Sequence, residues 1–351
     1  MKKVILWTAC MLFQYSIAFS CTTFLLHGNG KFVFGRNYDW ITGNGLVCTN
    51  QRGVVKKSFP LRDGGQVTWT SIYGSISFNQ YGKEFPTGGM NEKGLVVELM
   101  WLDGTQYPGN DDRPVIGVLQ WIQYQLDNSA TIADVIHSDK TLRITSTGTP
   151  LHYLVADAGG NAATIEFLDG KMVVHQGSDL PFPVLTNNRY DESVKFVKPA
   201  VNGSDPSYRD NSLERFVKAC NLVDQYTREP GTTSPVDYAF DILSEVSQGS
   251  HTKWSIAYDI TSREIHFRTH GYRSRKTISL TDFDFACNVK PRAWDMNQHG
   301  VGKVSSEFTE FTLEINRKLV ERSAEESKSQ INFTAEAIRR NWEYAGTVNC
   351  F

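Results

Sequence analysis

Cys21-Thr22-Thr23-Phe24-Leu25-Leu26-His27-Gly28-Asn29-Gly30-Lys31-Phe32-Val33-Phe34-Gly35-Arg36-Asn37-Tyr38-Asp39-Trp40 decides how this 351-residue chain is read. Residues 22–26 are rich in the β-branched and apolar types that favour a strand. Gly28-Asn29-Gly30 is a turn, and residues 31–34 supply a second strand, so the stretch predicts a hairpin. Ahead of it stand Lys2 and Lys3, an apolar run from Val4 to Phe19, and small residues at Ala18 and Ser20. That is the charged, apolar, small-residue order of a secretory signal, residues 1–20. Cleavage after Ser20 would make Cys21 the first residue of an exported chain, periplasmic or secreted. One residue would then carry both a thiol and a free α-amine. Such an amine titrates near ~8, in the range where a general base works at neutral pH.

Two other readings of Cys21 compete. In a bacterial lipoprotein the cysteine after the signal is acylated and tethers the chain to a membrane, although bulky Phe19 fits that pattern poorly. The protein would then be an anchored, non-catalytic binding protein. Alternatively the cysteine falls near the cut by chance.

Composition excludes little but excludes it clearly. The apolar share is 40%, the charged share 21% and the net charge −2, values of an ordinary globular chain that give no case for nucleic acid as a partner. Beyond the signal no apolar run is long enough to span a bilayer. Besides Cys21, the cysteines after the signal are Cys48, Cys220, Cys287 and Cys350. They allow three pairings into two disulfides, and four free buried thiols are an equal alternative.

Strand patterns continue at 67–78 and at 94–101, the latter nearly all apolar, as in a sheet covered on both faces. Helical spacing follows at 115–126 and 132–136. Residues 151–156, 163–168 and 172–176 read as three consecutive strands, 213–226 and 239–246 as helices, and 254–259 with 264–268 as a hairpin. Strands in bulk with grouped helices predict an α+β layered fold. Beyond residue 300, Phe308, Phe311, Ile315 and Leu319 fall at helical spacing, as do Ile338, Trp342 and Ala345, with a polar stretch at 321–330 between them. This predicts two amphipathic helices, packed on the main domain of 21–300 or serving a homo-oligomer contact. His266 and His270 lie in a strand-like segment without a third ligand nearby and read as solvated histidines.

Cys21-Thr22-Thr23 with Gly35-Arg36-Asn37-Tyr38-Asp39-Trp40 resembles the choloylglycine hydrolase and penicillin V acylase family. Gly89-Met90-Asn91-Glu92-Lys93-Gly94-Leu95, Leu185-Thr186-Asn187-Asn188 and Arg215-Phe216-Val217 extend the resemblance in the same order, to about residue 268. It implies a four-layer αββα N-terminal-nucleophile fold and hydrolysis of a linear amide without metal or organic cofactor. By the same resemblance Cys21 is the nucleophile, Arg36 lowers its pKa, and Asp39 holds its amine. Asn187 and the Trp101 N–H receive the oxyanion, and Arg215 completes the charge network near the thiol. Each has an ordinary alternative: a surface salt bridge for Arg36, a turn or helix cap for Asp39, an Asx turn for Asn187, a solvated helix face for Arg215. Phe24, Trp40 and Trp101 are candidates for an aromatic acyl pocket, or for plain core. Trp101 resembles the family's Gram-negative branch, whose members act on penicillin V, conjugated bile salts or acyl-homoserine lactones. The family's tetramer-building extension, between Asn188 and Arg215, is short here, and the tail after Phe308 has no counterpart in the pattern.

Overall fold

The computed structural model describes residues 21–61, 64–146, 148–197 and 211–350. The signal-like segment 1–20, and residues 198–210 of the short extension, lie outside the described residues. The first strands are β1 (Thr22–Gly28), β2 (Lys31–Asp39), β3 (Leu46–Asn50), β4 (Val54–Lys57), β5 (Thr68–Thr70), β6 (Ser75–Asn79), β7 (Pro86–Asn91) and β8 (Val96–Trp101). The helices are α1 (Val118–Asn128), α2 (Ile132–Ser138), α3 (Tyr190–Val197), α4 (Asn211–Arg228), α5 (Pro235–Glu245), α6 (Leu313–Ser327) and α7 (Ala335–Glu343).

The opening hairpin forms as its sequence predicts. Asn29 and Gly30 both take positive φ, 52° and 71°, the two-residue turn whose twist matches its flanking strands. The chain returns beside its start, with Thr22 opposite Asn37 and Thr23 opposite Arg36. On the other side of β2 lies the strand Thr252–Asp259, with Thr252 opposite Asp39. These strands centre a seven-stranded sheet: Val184–Leu185, β1, β2, Thr252–Asp259, Glu264–Thr269, Lys276–Ser279, Gly302–Lys303. A nine-stranded sheet runs Lys171–Gln176, Ala162–Leu168, Leu151–Ala156, β8, β7, β6, β3, Arg292–Asp295, Thr309–Glu310.

The two sheets pack face to face. Thr23 Oγ1 in β1 lies 3.3 Å from Met100 Sδ in β8, and Phe78 of β6 meets the rings of Tyr258 and Phe267 at 6.0 and 5.8 Å. α4 and α5 cover the outer face of the first sheet, against β1 and β2, and α1 covers β7 and β8 on the second. The layers are therefore helix, sheet, sheet, helix.

Two local readings are corrected. Residues 115–117 are not the start of a helix. Val115 and Ile116 are β-branched and form a short strand parallel to Arg143–Thr145, and α1 begins only after Gly117, which is extended at its N-cap. Phe308 and Phe311 likewise precede α6, because Thr312 caps it by accepting the Ile315 N–H. The polar residues 321–327 are then the second half of α6, not a connector. Of the four later cysteines, Cys287 and Cys350 form one disulfide, while Cys48 and Cys220 are free and buried. Neither four free thiols nor two disulfides describes them.

The tail packs on the body. Residues 302–303 and 309–310 add edge strands to the two main sheets. Asn316 of α6 accepts the Lys83 N–H at 2.9 Å and donates to the Trp342 carbonyl of α7 at 2.9 Å. Asn349 and Cys350 pair with β4.

Candidate active site

Cys21 is 3% exposed and lies on the wall of a cavity of about 140 Å³ between the sheets. Its Sγ is 3.9 Å from the Asp39 carbonyl oxygen, a contact that follows directly from the hairpin register. Burial pushes the thiol pKa up. The Arg36 charge opposes that most strongly, the Asp39 carboxylate adds to it, and Arg215 lowers it further.

Arg36 is fully buried, not a surface residue. It forms an ion pair with Glu98 of β8, also fully buried, and donates to the carbonyls of Thr87 at 3.0 Å and Leu99 at 3.2 Å. Its effect on Cys21 is thus electrostatic rather than a direct bond. Glu98 also accepts the Tyr258 hydroxyl. Its carboxylate fills the space over Gly88, where a Cβ would stand 2.0 Å from Oε2, so β7 needs a residue without a side chain there. A buried carboxylate of this kind holds only with a charge partner and satisfied oxygens.

Asp39 is 1% exposed. The Thr252 hydroxyl donates to Oδ1, whereas Oδ2 is buried and has no hydrogen-bond partner among the described residues. Desolvation raises its pKa to about 6, against the Thr252 bond and the charges of Arg215 and Arg36. Asp39 is neither a turn nor a cap residue: it closes β2.

Asn187 and Arg215 arrive from the other side. Arg215, near the start of α4, donates to the Cys21 carbonyl at 2.6 Å, the Thr22 hydroxyl at 2.5 Å and Asn187 Oδ1 at 3.0 Å. Its hydrogen bonds hold the main chain of Cys21, not the thiol. The fixed Asn187 amide then points Nδ2 at the Trp101 carbonyl, 2.9 Å away. Leu102 N bonds to Pro150 O, so strand alternation places the Trp101 N–H on the opposite edge, the same edge as its carbonyl. The Asn187 loop is braced from behind: His152 Nε2 donates to the Thr186 carbonyl at 2.7 Å, and its Nδ1 lies 3.1 Å from Glu166 Oε1.

The aromatic candidates divide. Trp40 and Trp101 both line the cavity, their rings 6.2 Å apart. Phe24 does not. It is fully buried core, two residues beyond Thr22, whose hydroxyl meets Arg215 of α4, so alternation turns it to the helix layer while Cys21 and Thr23 face the second sheet. Tyr38, Tyr81, Leu119, Leu151 and, from the tail, Ile331 and Phe333 complete the apolar walls.

Several of these residues escaped the sequence reading. Glu98 left a signal, a lone acid in an apolar strand, which demands a buried cation. Thr252, Tyr81 and Phe333 left none: strand pairing far along the chain sets Thr252 opposite Asp39, and loop and tail geometry brings in Tyr81 and Phe333.

A sequence model of the linear amide C–N hydrolases, choloylglycine hydrolase family, matches residues 21–201. A penicillin V acylase from Pectobacterium atrosepticum is 31% identical over 196 residues, 49% of this chain and 50% of that one, so the chain spans about half the length of this curated relative. The solved penicillin V acylase of Agrobacterium tumefaciens superposes with a TM-score of 0.71 at 26% identity, over 83% of this chain and 98% of that one. A conjugated bile acid hydrolase from Clostridium perfringens, at 18% identity, shares the fold with a TM-score of 0.66 over 80% and 98% of the two chains. The four layers are those of the N-terminal-nucleophile hydrolases, and the chain belongs to the choloylglycine hydrolase family of linear amide C–N hydrolases.

Proposed function

We propose that the chain is exported, is cut after Ser20, and hydrolyses a linear amide with Cys21 as nucleophile and its own α-amine as base. The observation that carries this reading is the carboxylate of Asp39. One oxygen is held by Thr252; the other is buried beside Cys21 and has no partner among the described residues. A free α-amine at Cys21 gives that oxygen a donor, and when protonated it draws the Asp39 pKa back down from about 6.

The reaction is acyl transfer. The Cys21 thiolate attacks the amide carbonyl carbon, forming a C–S bond and an oxyanion. The second Nδ2 hydrogen of Asn187 and the Trp101 N–H stabilise that charge. The C–N bond breaks as the α-ammonium gives its proton to the leaving nitrogen. Water then attacks the thioester carbonyl, its proton passing to the α-amine. The C–S bond breaks, and a carboxylic acid leaves with the thiolate restored. Arg36 favours the thiolate, and Arg215 fixes Cys21 and Asn187 without touching the reacting atoms.

Cavity size bears on the substrate. An apolar cavity of roughly 150 Å³ holds one benzene, so about 140 Å³ suits a single ring or short acyl chain better than a four-ring bile acid. A lipid-anchored Cys21 fits poorly, since its sulfur is buried against Asp39 with no room for a diacylglycerol.

The test is the intact mass of the exported protein with fragmentation of its N-terminus. A competition assay among a phenoxyacetyl penicillin, a conjugated bile salt and an acyl-homoserine lactone goes with it. An unmodified N-terminal Cys21, Cys21-dependent turnover and preference for the phenoxyacetyl amide are expected. A retained leader, an acylated Cys21 or an active Cys21→Ala variant overturns the reading.

A further inference from the structure

The tail contributes more than packing to the cavity. Ile331 and Phe333 lie in the loop between α6 and α7, and both line the cavity that contains Cys21. The Phe333 ring is 5.3 Å from Tyr81. The Tyr81 hydroxyl accepts the Trp40 indole N–H at 2.6 Å and lies 2.7 Å from Ser327 Oγ, the last residue of α6. The wall made by Trp40 and Tyr81 is therefore continuous with the tail through hydrogen bonds as well as ring contact.

The loop is held from both ends. On one side, α6 buries Asn316, Leu319, Val320, Ser323, Ala324 and Ser327. On the other, α7 has no fully buried residue of its own and is fastened by contacts around it. Gly82, at φ 119°, lets its backbone come so near that a Cβ would stand 2.9 Å from the Asn341 carbonyl oxygen. Arg340 lies over the Phe59 ring at 5.0 Å, the Tyr344 hydroxyl bonds the Lys57 carbonyl, and Cys350 is disulfide-bonded to Cys287. Within the loop, Asn332 and Thr334 are exposed, while Ile331 and Phe333 turn inward and are half-buried. Residues this far along the chain lie outside the matched family region, 21–201.

We infer that Ile331 and Phe333 form the wall that sets how large an acyl group the Cys21 cavity accepts, making the tail a specificity element of this chain. The inference rests on Cys21 being the nucleophile for its turnover consequence, but not for its steric one. Removing the Phe333 ring lengthens the cavity; enlarging the residue shortens it. One methylene gained or lost in an apolar pocket changes kcat/KM by about tenfold or more.

Two readouts on the full exported protein test it. The first is the rate of Cys21 alkylation by iodoacetamide and by N-octyl iodoacetamide, with the modified residue located by mass spectrometry so that Cys48 and Cys220 do not confuse it. The ratio of bulky to small reagent should rise about tenfold in Phe333→Ala and in Ile331→Ala, and fall in Phe333→Trp. The second is the kcat/KM profile over aminocoumarin amides of butanoyl, hexanoyl, decanoyl and phenylacetyl groups, which share one leaving group. Its optimum should move to longer acyl chains in Phe333→Ala. An alkylation ratio unchanged in all three variants overturns the wall, as does an unmoved acyl profile in a protein that turns over. A wild-type chain with no amide turnover overturns the proposed activity instead, and the alkylation ratio alone then decides the wall. Phe333→Trp keeps the test open if the alanine variants do not fold.

Discussion

Arg36 and Glu98 face each other across the two sheets, fully buried, and join β2 to β8 directly behind Cys21. The pair serves two ends at once. It neutralises the only carboxylate in an otherwise apolar strand, and it keeps a cation near the thiol that opposes the effect of burial.

Breaking this pair from one side should cost about 3–5 kcal/mol, because it strands a buried charge. Arg36→Met is expected to lose that much in urea unfolding. Arg36→Met combined with Glu98→Gln should regain most of it. Neither should recover the rate at which iodoacetamide labels Cys21, since the thiol has lost its largest favourable charge. Recovery of labelling in the double variant would show that the cation does not act on the thiol.

Asp39 gives a pH signature that depends on whether the chain is cut. In an uncut chain its carboxyl sits at about 6, above the ordinary 3.8. A raised acid pKa means the folded state binds the proton more tightly. The contribution of Asp39 to stability is therefore greatest at low pH, declines as pH rises from about 4 to about 6, and stays reduced above that, by about 3 kcal/mol. Asp39→Asn should then stabilise the uncut chain at pH 8 and hardly at pH 4. In the cut chain, where the α-ammonium pairs with Asp39, the stabilisation at pH 8 should disappear. Chemical unfolding of both forms at the two pH values checks this.

Asn187 is expected to act on the transition state rather than on binding. Asn187→Ala should lower kcat by about 10²–10³ with KM little changed. Arg215→Gln loosens both the Cys21 carbonyl and the Asn187 amide, so it should lower kcat and also shift KM. Steady-state kinetics with one amide separates the two patterns.

The Cys287–Cys350 disulfide closes a loop of 63 residues that contains the whole tail. On chain-entropy grounds it contributes about 4 kcal/mol. Cys350→Ser is expected to lower the melting temperature and to expose the strand Asn349–Cys350 and the half-buried α7 to limited proteolysis. The first sheet should stay protected apart from its edge strand Gly302–Lys303, the one strand of that sheet the tail supplies.

The opening hairpin was legible from residues 21–40 because each feature is local. β-branched strand residues and an Asn-Gly turn fix the register, and the register alone puts Arg36, Asn37 and Asp39 beside Cys21. The layered architecture was legible too, from the nearly all-apolar run in β8 and the spacing of α4 and α5. Other features depended on contacts between residues far apart in sequence. Glu98 became the partner of Arg36 only when the sheets stacked. Phe24 became core only when alternation turned it to the helices. Cys287 and Cys350 paired because the tail crosses back to β4. The cavity itself is the clearest case: its walls come from β2, β8, α1 and a loop some three hundred residues from Cys21, and side-chain periodicity carries no information about which distant surfaces will meet. Local chemistry and backbone pairing were thus determined by sequence, whereas the size and closure of the space in front of the thiol were decided by tertiary packing.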